Sequence, residues 1–367
     1  MGISKSRFGH IDIPLQRVHI ELTNVCEFNC VFCPKASMDR PVGYMDTALA
    51  KRLITELSEN KVCEKVTFHV MGEPTLHKGF FDILSHAEKA GMKVGLTTNG
   101  AGLGGKAGEK LLAYNLHQLD ISLQTPDERS FSLRGAKGMS FEEYAGGVME
   151  FFRKYKAAWP DSAFKFRFLN TRFRKKKMEE EVGPVRVMST TEELRETFTR
   201  WAGLVYDGIH APPEMRKSGL KGIGMLVSYK WNVVEVAPKV FFETYVLSNW
   251  GHAFGGARVR DAWAGYCYGM RDHFGVLHNG DVVLCCIDYN GNTKVGSVRD
   301  STLKEVLSSD AVGRVVNGFR RMKVVHPYCR KCLGSSSFAS WLLRPAVDLM
   351  VLRLLKPFFY SKKKLYD

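Results

Sequence analysis

With 367 residues, 45% hydrophobic and 25% charged, the chain has interior enough for a large core and the make-up of a folded rather than a disordered protein. Its 53 Lys and Arg against 38 Asp and Glu give a net charge of +15, which favours anionic partners (phosphorylated molecules, nucleic acid or acidic membrane) without choosing among them. Nine cysteines, three within 26–33, five between 267 and 332, and a lone Cys63, exclude a secreted disulfide scaffold and point to metal in a reducing, cytoplasmic setting. The N-terminus has no apolar core of signal-peptide length, and no run of 18 uncharged apolar residues spans a membrane.

In chain order, residues 17–123 alternate short β-branched runs with helical stretches. Arg17–Thr23 is predicted as a strand, Thr47–Glu59 as a helix, Val66–Met71 as a second strand, and a helix follows near Phe80–Ala90. Lys93–Thr97 and Leu119–Leu123 are the next strands, Phe141–Tyr155 a helix, and Phe164–Leu169 a fifth strand. This alternation argues for an α/β fold with a parallel sheet and right-handed crossovers, whose chemistry gathers at the C-terminal strand ends. The stretch 171–230 is less regular. A basic run, Arg172–Lys177, turns acidic at Glu179–Glu181; Thr190 and Glu193 have capping-box spacing for a helix to about Tyr206; a loop with Pro212, Pro213 and Gly219 follows. Val233–Leu247 is expected to hold the last strand, and from Asp261 the chain becomes a small, turn-rich, cysteine-marked module.

Cys26, Cys30 and Cys33 follow the first strand with the spacing C-x3-C-x2-C. Three thiolates set this closely can wrap one iron–sulfur cubane and leave its fourth iron open, as a reactive site needs. A structural zinc ion or free thiols are the other readings. Zinc generally closes with a fourth ligand at pair spacing, and the nearest downstream candidates, Cys63 and His77, lie far along the chain.

With Phe32 before the third cysteine, this pattern resembles the signature of the radical S-adenosylmethionine (SAM) superfamily. The resemblance covers about 17–250 and implies a partial (β/α)6 TIM-like barrel. It implies a 4Fe–4S cluster on Cys26, Cys30 and Cys33 that chelates SAM and splits it to a 5′-deoxyadenosyl radical, which takes hydrogen from a substrate. On the same resemblance Phe32 packs near adenine, and Met71-Gly72-Glu73-Pro74 matches the GGE-type turn that contacts the SAM amino group. Thr97-Thr98-Asn99-Gly100 matches the turn after the third strand, Ser122 a polar contact to SAM, and Arg134 a partner of the SAM carboxylate. Gln124 departs from the pattern, which often has Asp there.

Later come Cys267, Gly280-x4-Cys285, the adjacent Cys286, and Cys329-x2-Cys332. Four such thiolates can close a second cubane, with a structural zinc site as the alternative. The C-x12-G-x4-C spacing and distant pair resemble the Twitch form of the SPASM domain. That implies one auxiliary 4Fe–4S cluster on Cys267, Cys285, Cys329 and Cys332, with Cys286 the alternative to Cys285. The expected organisation is a barrel over 12–250 with an irregular insertion at about 171–230, an auxiliary domain over 261–340, and a basic amphipathic tail over 341–367. Cys63 reads as a buried core thiol.

Four ligands leave no open iron, so the auxiliary cluster is expected to accept an electron rather than bind substrate. The leading expectation is an oxidoreductase that dehydrogenates a small or lipid-linked sugar or alcohol, served by a flavodoxin- or ferredoxin-type reductant. The four-cysteine pattern resembles the radical SAM alcohol dehydrogenases acting on aminocyclitols. A peptide maturase forming thioethers, epimers or cross-links comes second, because many carry an N-terminal recognition domain and about 16 residues precede the first strand here. An RNA- or nucleotide-modifying enzyme comes third, resting on charge alone. No acid or base is assigned among His210, His252, Arg260, Tyr266 and His273. In the tail, Val347, Val351, Leu354, Leu355 and Phe358 recur at helical spacing beside Lys356 and Lys362–Lys364. They read either as a helix packed on the protein or as an interfacial helix at the inner face of an anionic membrane.

Overall fold

The computed structural model describes residues 6–171, 185–246 and 259–347, together with 350, 351 and 354. A short hairpin, β1 (Ser6–Phe8) and β2 (Ile11–Ile13), leads into β3 (Leu15–Ile20). The helix α1 (Thr47–Glu59) has the predicted bounds: Asp46 accepts from the Leu49 N–H, and Leu49, Ala50, Leu53, Ile54 and Leu57 recur on its buried face. Then follow β4 (Cys63–Phe68), α2 (Phe80–Lys89), β5 (Lys93–Thr98), α3 (Lys106–Leu111), β6 (Gln118–Gln124), α4 (Glu128–Phe131), α5 (Phe141–Ala158) and β7 (Ala163–Asn170). The helix α6 (Thr191–Gly208) opens on a capping box of Thr190 and Glu193. The predicted loop at Pro212–Gly219 is instead a helix, α7 (Pro213–Gly224). Pro213 sits in its first turn, where a missing N–H costs nothing, and a Cβ on Gly219 would stand 2.1 Å from the Tyr206 hydroxyl. The glycine marks close packing rather than a turn.

After β8 (Val233–Ala237) and β9 (Val240–Val246) come β10 (His273–Val276), β11 (Asp281–Val283) and β12 (Lys294–Ser297). The helices α8 (Leu303–Leu307), α9 (Asp310–Arg320), α10 (Pro327–Cys332) and α11 (Phe338–Val347) follow. One ten-stranded sheet runs in the order β12-β11-β10-β3-β4-β5-β6-β7-β9-β8. From β10 to β9 every pairing is parallel, while β8, β11 and β12 pair antiparallel. The six strands β3, β4, β5, β6, β7 and β9 are the expected partial barrel, and it does not close: β12 and β8 are its two edges. The cysteine module is no detached lobe, because β10 continues the sheet beside β3.

Alternation along the strands gives the sheet two unlike faces. Val18, Ile20, Val66, Phe68, Leu96, Leu119, Ile121, Phe164, Phe166 and Phe242 are buried in the apolar core. On the other face polar side chains meet across strands: Lys165 with Glu243 at 3.2 Å, Arg167 with Asp120 at 2.8 Å, and Lys65 with Gln118 at 2.9 Å.

Among the described residues of the tail, the reading of a helix packed on the protein is not met. On α11, Phe338, Leu342, Leu343 and Val347 are each more than half exposed, as are Met350 and Leu354 beyond it. Among the described residues, no helix is long and apolar enough to cross a membrane. The Arg172–Lys177 and Glu179–Glu181 runs, His252, Leu355, Lys356, Phe358 and Lys362–Lys364 lie outside the described residues.

Candidate functional site

The chain leaves the C-terminal end of β3 as a loop that carries Cys26, Cys30 and Cys33. Its backbone is pinned by Asn29 N to Arg134 O at 3.0 Å, Val31 N to Leu133 O at 3.0 Å, and Glu73 N to Val25 O at 2.7 Å. The loop also turns on itself, Cys33 N donating to Cys30 O at 3.0 Å. All three thiols are half-buried. Burial pushes Cys26 up to about 12 and Cys33 up to about 11; Cys30 is also raised by burial, against the pull of Arg134 and Lys35. Uptake of a metal group must therefore expel protons.

The other predicted residues converge on this loop from neighbouring strand ends. Asn99, just after β5, donates from Nδ2 to Cys26 Sγ at 3.5 Å and to Glu27 Oε2 at 3.0 Å. Glu73 is buried, accepting from Asn99 N at 2.6 Å, Thr75 Oγ1 at 2.7 Å and Thr98 Oγ1 at 2.9 Å. Gly72 has φ +73°, and a Cβ there would stand 2.4 Å from Thr23 O, so its need for glycine is the close approach of two chain segments. Pro74 opens a single 3-10 turn, and Phe32 is buried in the core.

Arg134 departs from expectation. It is 1% exposed, and both terminal nitrogens are taken by backbone: Nη1 donates to Ser122 O at 2.6 Å and Leu123 O at 2.7 Å, Nη2 to Asn99 O at 3.1 Å. The guanidinium thus braces the ends of β5 and β6 and leaves only Nε without a partner. Beside it, Gln124 sits at an irregularity in the pairing of β6 with β7, with φ +56° and an unpaired buried Oε1. One orphaned donor and one orphaned acceptor at the end of β6, next to the cysteine loop, fit a bound molecule that offers both chemistries, such as the amino-acid part of SAM.

Burial pushes the Glu73 carboxyl up to about 7, with the Asn99 N–H pulling against it, whereas an unstructured Glu titrates at 4.5. Between those values the folded chain holds the extra proton, so stability falls as pH rises through that window. The loss from this group reaches about 3 kcal/mol. Glu73→Gln should flatten that slope in urea midpoints measured from about pH 5 to about pH 8; an unchanged slope would show that the carboxyl is ionised throughout.

The second cysteine set is gathered from three places. Cys267 precedes β10, Cys285 follows β11, and Cys329 and Cys332 lie three apart on α10. Burial raises Cys267 to about 11 and Cys332 to about 12, and it raises Cys329 strongly. After burial, the neighbouring thiols raise one another: Cys285 acts on Cys267, and Cys267 and Cys285 both act on Cys329 and Cys332. Cys286 shares a hydrogen bond with Cys285 and also meets His19 and His273. Among the described residues, only that His19–His273–Cys286 trio brings three His, Cys or carboxylate ligand atoms within 4.8 Å of one another. Cys63 is buried in the core, as expected.

The two cysteine regions are joined through Glu21, at the end of β3. It accepts from Arg40 of the cysteine loop, from Met71 N at 3.2 Å, and from His278 N at 3.0 Å. Burial pushes this carboxyl up, but His278 and Arg40 outweigh it and leave the group below its usual range.

The inner-face cations and the two histidines His19 and His69 were not anticipated, although RVHIEL and VTFHVM each place a His at an alternating strand position. Of the suggested acid–base residues, His273 lies at this face, whereas His210 and Arg260 are exposed. A cavity of about 340 Å³ lies at the opposite strand ends, lined by Lys93, Leu116 and Ser162 among others, and touches none of the site residues.

Residues 20–162 match the family model of the Radical SAM superfamily, and residues 267–333 match SPASM, an iron–sulfur cluster-binding domain. The chain is 33% identical over 162 residues to the AdoMet-dependent heme synthase of Methanosarcina barkeri, covering 44% of this chain and 43% of the relative. It is 31% identical over 122 residues to the GTP 3′,8-cyclase of Vibrio cholerae serotype O1, covering 31% and 35%. It thus spans less than half the length of these curated relatives. The crystal structure of Streptococcus suis SuiB shares the fold, with a TM-score of 0.52 at 15% identity, covering 84% of this chain and 69% of that one. With both cysteine regions inside matched families, the chain belongs to the radical SAM superfamily and carries a C-terminal SPASM domain, with 4Fe–4S clusters and SAM as its cofactors.

Proposed function

We propose that the protein dehydrogenates a small or lipid-linked sugar or alcohol, removing one hydrogen atom and then one electron and one proton. When bound, SAM and the first cluster supply a hydrogen-abstracting 5′-deoxyadenosyl radical, driven by an electron from a flavodoxin- or ferredoxin-type reductant, and the auxiliary cluster supplies a one-electron acceptor. Cys26, Cys30 and Cys33 hold the first cluster; Cys267, Cys285, Cys329 and Cys332 hold the second. In this reading Arg134 Nε and Gln124 Oε1 offer SAM a donor and an acceptor, Asn99 Nδ2 orients the Cys26 sulfur, and Phe32, Gly72, Glu73, Pro74 and Ser122 complete the SAM site.

The observation that carries the substrate class is the inner face of the sheet. A filled (β/α)8 barrel packs that face with Val, Ile and Leu. Here Lys65, Gln118, Asp120, Lys165, Arg167 and Glu243 occupy it, a wall that suits hydroxyl groups rather than an apolar chain. Burial pushes the Lys65 amine down to about 8, so its Nζ is poised to exchange a proton near neutral pH.

The test is anaerobic turnover by Cys329→Ala/Cys332→Ala with dithionite, SAM and a panel of sugars and alcohols, read by mass for products lacking two hydrogens. The variant should still release 5′-deoxyadenosine while oxidised product falls to background. Loss of 5′-deoxyadenosine as well would remove the acceptor role, and a product formed without loss of hydrogen would remove the dehydrogenation.

The exposed apolar face of α11 supports peripheral contact with an anionic membrane, since Arg344 lies on the helix and Arg353, Lys356 and Lys362–Lys364 follow in sequence. Phe338→Ser/Leu342→Ser/Leu343→Ser should weaken sedimentation with phosphatidylserine vesicles more than ~10-fold, because each buried side chain is worth ~1.5–3 kcal/mol. Unchanged partitioning would end the membrane reading.

A further inference from the structure

A second kind of metal chemistry is assembled where the cysteine module joins the barrel. His19 on β3, His273 on β10 and Cys286 just after β11 bring three donor atoms within 4.8 Å of one another. The two strands are neighbours, with His273 opposite Arg17 and Gly275 opposite His19. The imidazoles meet edge to face, their centroids 5.5 Å apart and their planes at 82°. His19 is 6% exposed, and His273 and Cys286 are half-buried.

Each imidazole has an oxygen acceptor near Nδ1. His19 Nδ1 lies 2.6 Å from Thr67 Oγ1, and the Nδ1 of His273, which has no hydrogen-bond partner, lies 3.8 Å from the Asp272 carboxylate. At His19 the Thr67 hydroxyl holds the proton on Nδ1 and leaves Nε2 as the lone pair, the arrangement that commonly orients a metal-binding histidine; at His273 the Asp272 carboxylate is within ion-pair range of Nδ1 but makes no hydrogen bond to it. The Nε2 of His19 now accepts from Arg17 Nε at 3.3 Å, and Arg17 has the Asp272 carboxylate at 3.9 Å as its other partner. The Nε2 of His273 lies 3.7 Å from Cys285 Sγ.

We propose that His19, His273 and Cys286 form a mononuclear zinc site that adjoins the auxiliary set at Cys285 and takes none of that set's four cysteines. Two imidazoles and one thiolate are borderline donors that zinc accepts. With bonds of ~2.1 Å to nitrogen and ~2.3 Å to sulfur, tetrahedral zinc needs its ligands ~3.4–3.8 Å apart, a small contraction from the separations found. Three protein ligands leave a fourth position for water or for an oxygen of a molecule held against the inner wall, where the ion acts as a Lewis acid. On this proposal Cys286 serves the zinc ion and the neighbouring Cys285 the auxiliary set, although the two thiols touch and Cys285 Sγ also lies 3.7 Å from His273 Nε2.

The test uses anaerobically purified full-length protein with its clusters in place, dialysed against micromolar zinc and then metal-free buffer. Zinc and iron are counted per chain, and the zinc X-ray absorption fine structure reads the ligands without interference from iron. The expected result is about one zinc bound to imidazole nitrogens and a single sulfur, alongside about eight irons. Cys286→Ser and His19→Ala should each lower bound zinc at least ~10-fold with iron unchanged. Cys286→His keeps three ligands and should retain zinc with no sulfur in its shell. No zinc in the unaltered protein, zinc surrounded by several sulfurs, or loss of iron from Cys286→Ser would each overturn the assignment. The last two would place zinc in a cysteine set or make Cys286 a cluster ligand.

Discussion

Replacing Cys26, Cys30 and Cys33 together by alanine should bring 5′-deoxyadenosine formation down to the level of an enzyme-free control and leave about four irons per chain instead of about eight. The size of the effect follows from the loop. Its three thiols are half-buried, and burial keeps them protonated until a metal group displaces those protons. The loop backbone is tied to Arg134, Leu133 and Glu73 by main-chain hydrogen bonds that the substitution does not touch. The fold should therefore survive, and unfolding midpoints of the variant without clusters should match those of the parent stripped of iron. Cys63→Ala is the control. That thiol is buried in the core away from both sets, so its loss should leave iron content and 5′-deoxyadenosine formation as they were. Eight irons retained by the triple variant would mean that other residues hold the first cluster.

The second large effect is expected at Arg134, and on stability before catalysis. Arg134→Ala removes the guanidinium donor from the carbonyls of Ser122, Leu123 and Asn99; Leu123 O keeps Thr125 N at 2.6 Å and Asn99 O keeps the Tyr144 hydroxyl at 2.8 Å. At about 1 kcal/mol or more for each of the three hydrogen bonds to the charged guanidinium, the loss is at least about 3 kcal/mol. The guanidinium also lies over the Phe28 ring, 4.5 Å from its centroid, so a further ~0.5–2 kcal/mol of cation–π attraction goes with it. For a chain of this size the melting temperature should fall by roughly 4 °C or more. Arg134→Lys should recover only part, because one ammonium on a flexible stem cannot span the Asn99 and Leu123 carbonyls as a planar fork does. A drop below about 1 kcal/mol would mean that water takes over the three carbonyls, and the bracing role would be lost.

Arg134 also marks where reading the sequence stopped. Its place behind the fourth strand was legible, but its partners were not: the guanidinium meets carbonyls 11 to 35 residues earlier, and only the packed strand ends bring them together. Elements specified by neighbours within one turn were read well. The helix at Thr47–Glu59, the capping box at Thr190 and Glu193, and the alternating strands depend on local caps and periodicities that hold wherever the segment sits. Pro213 and Gly219 misled because each has two uses, and the choice between a turn and a tightly packed helix start was made by Tyr206 and by the Val236 carbonyl.

By itself, then, the sequence determined the α/β class, the three-cysteine loop after the first strand, and the later cysteine spacing, since these are written in residues close along the chain. The tertiary structure alone decided that β10 extends the barrel sheet, that Cys286 lies beside His19 and His273, and that the described part of the tail helix leaves its apolar side chains bare. Those outcomes depend on contacts between segments up to about 250 residues apart, whose free energy resides in burial and register rather than in any local pattern.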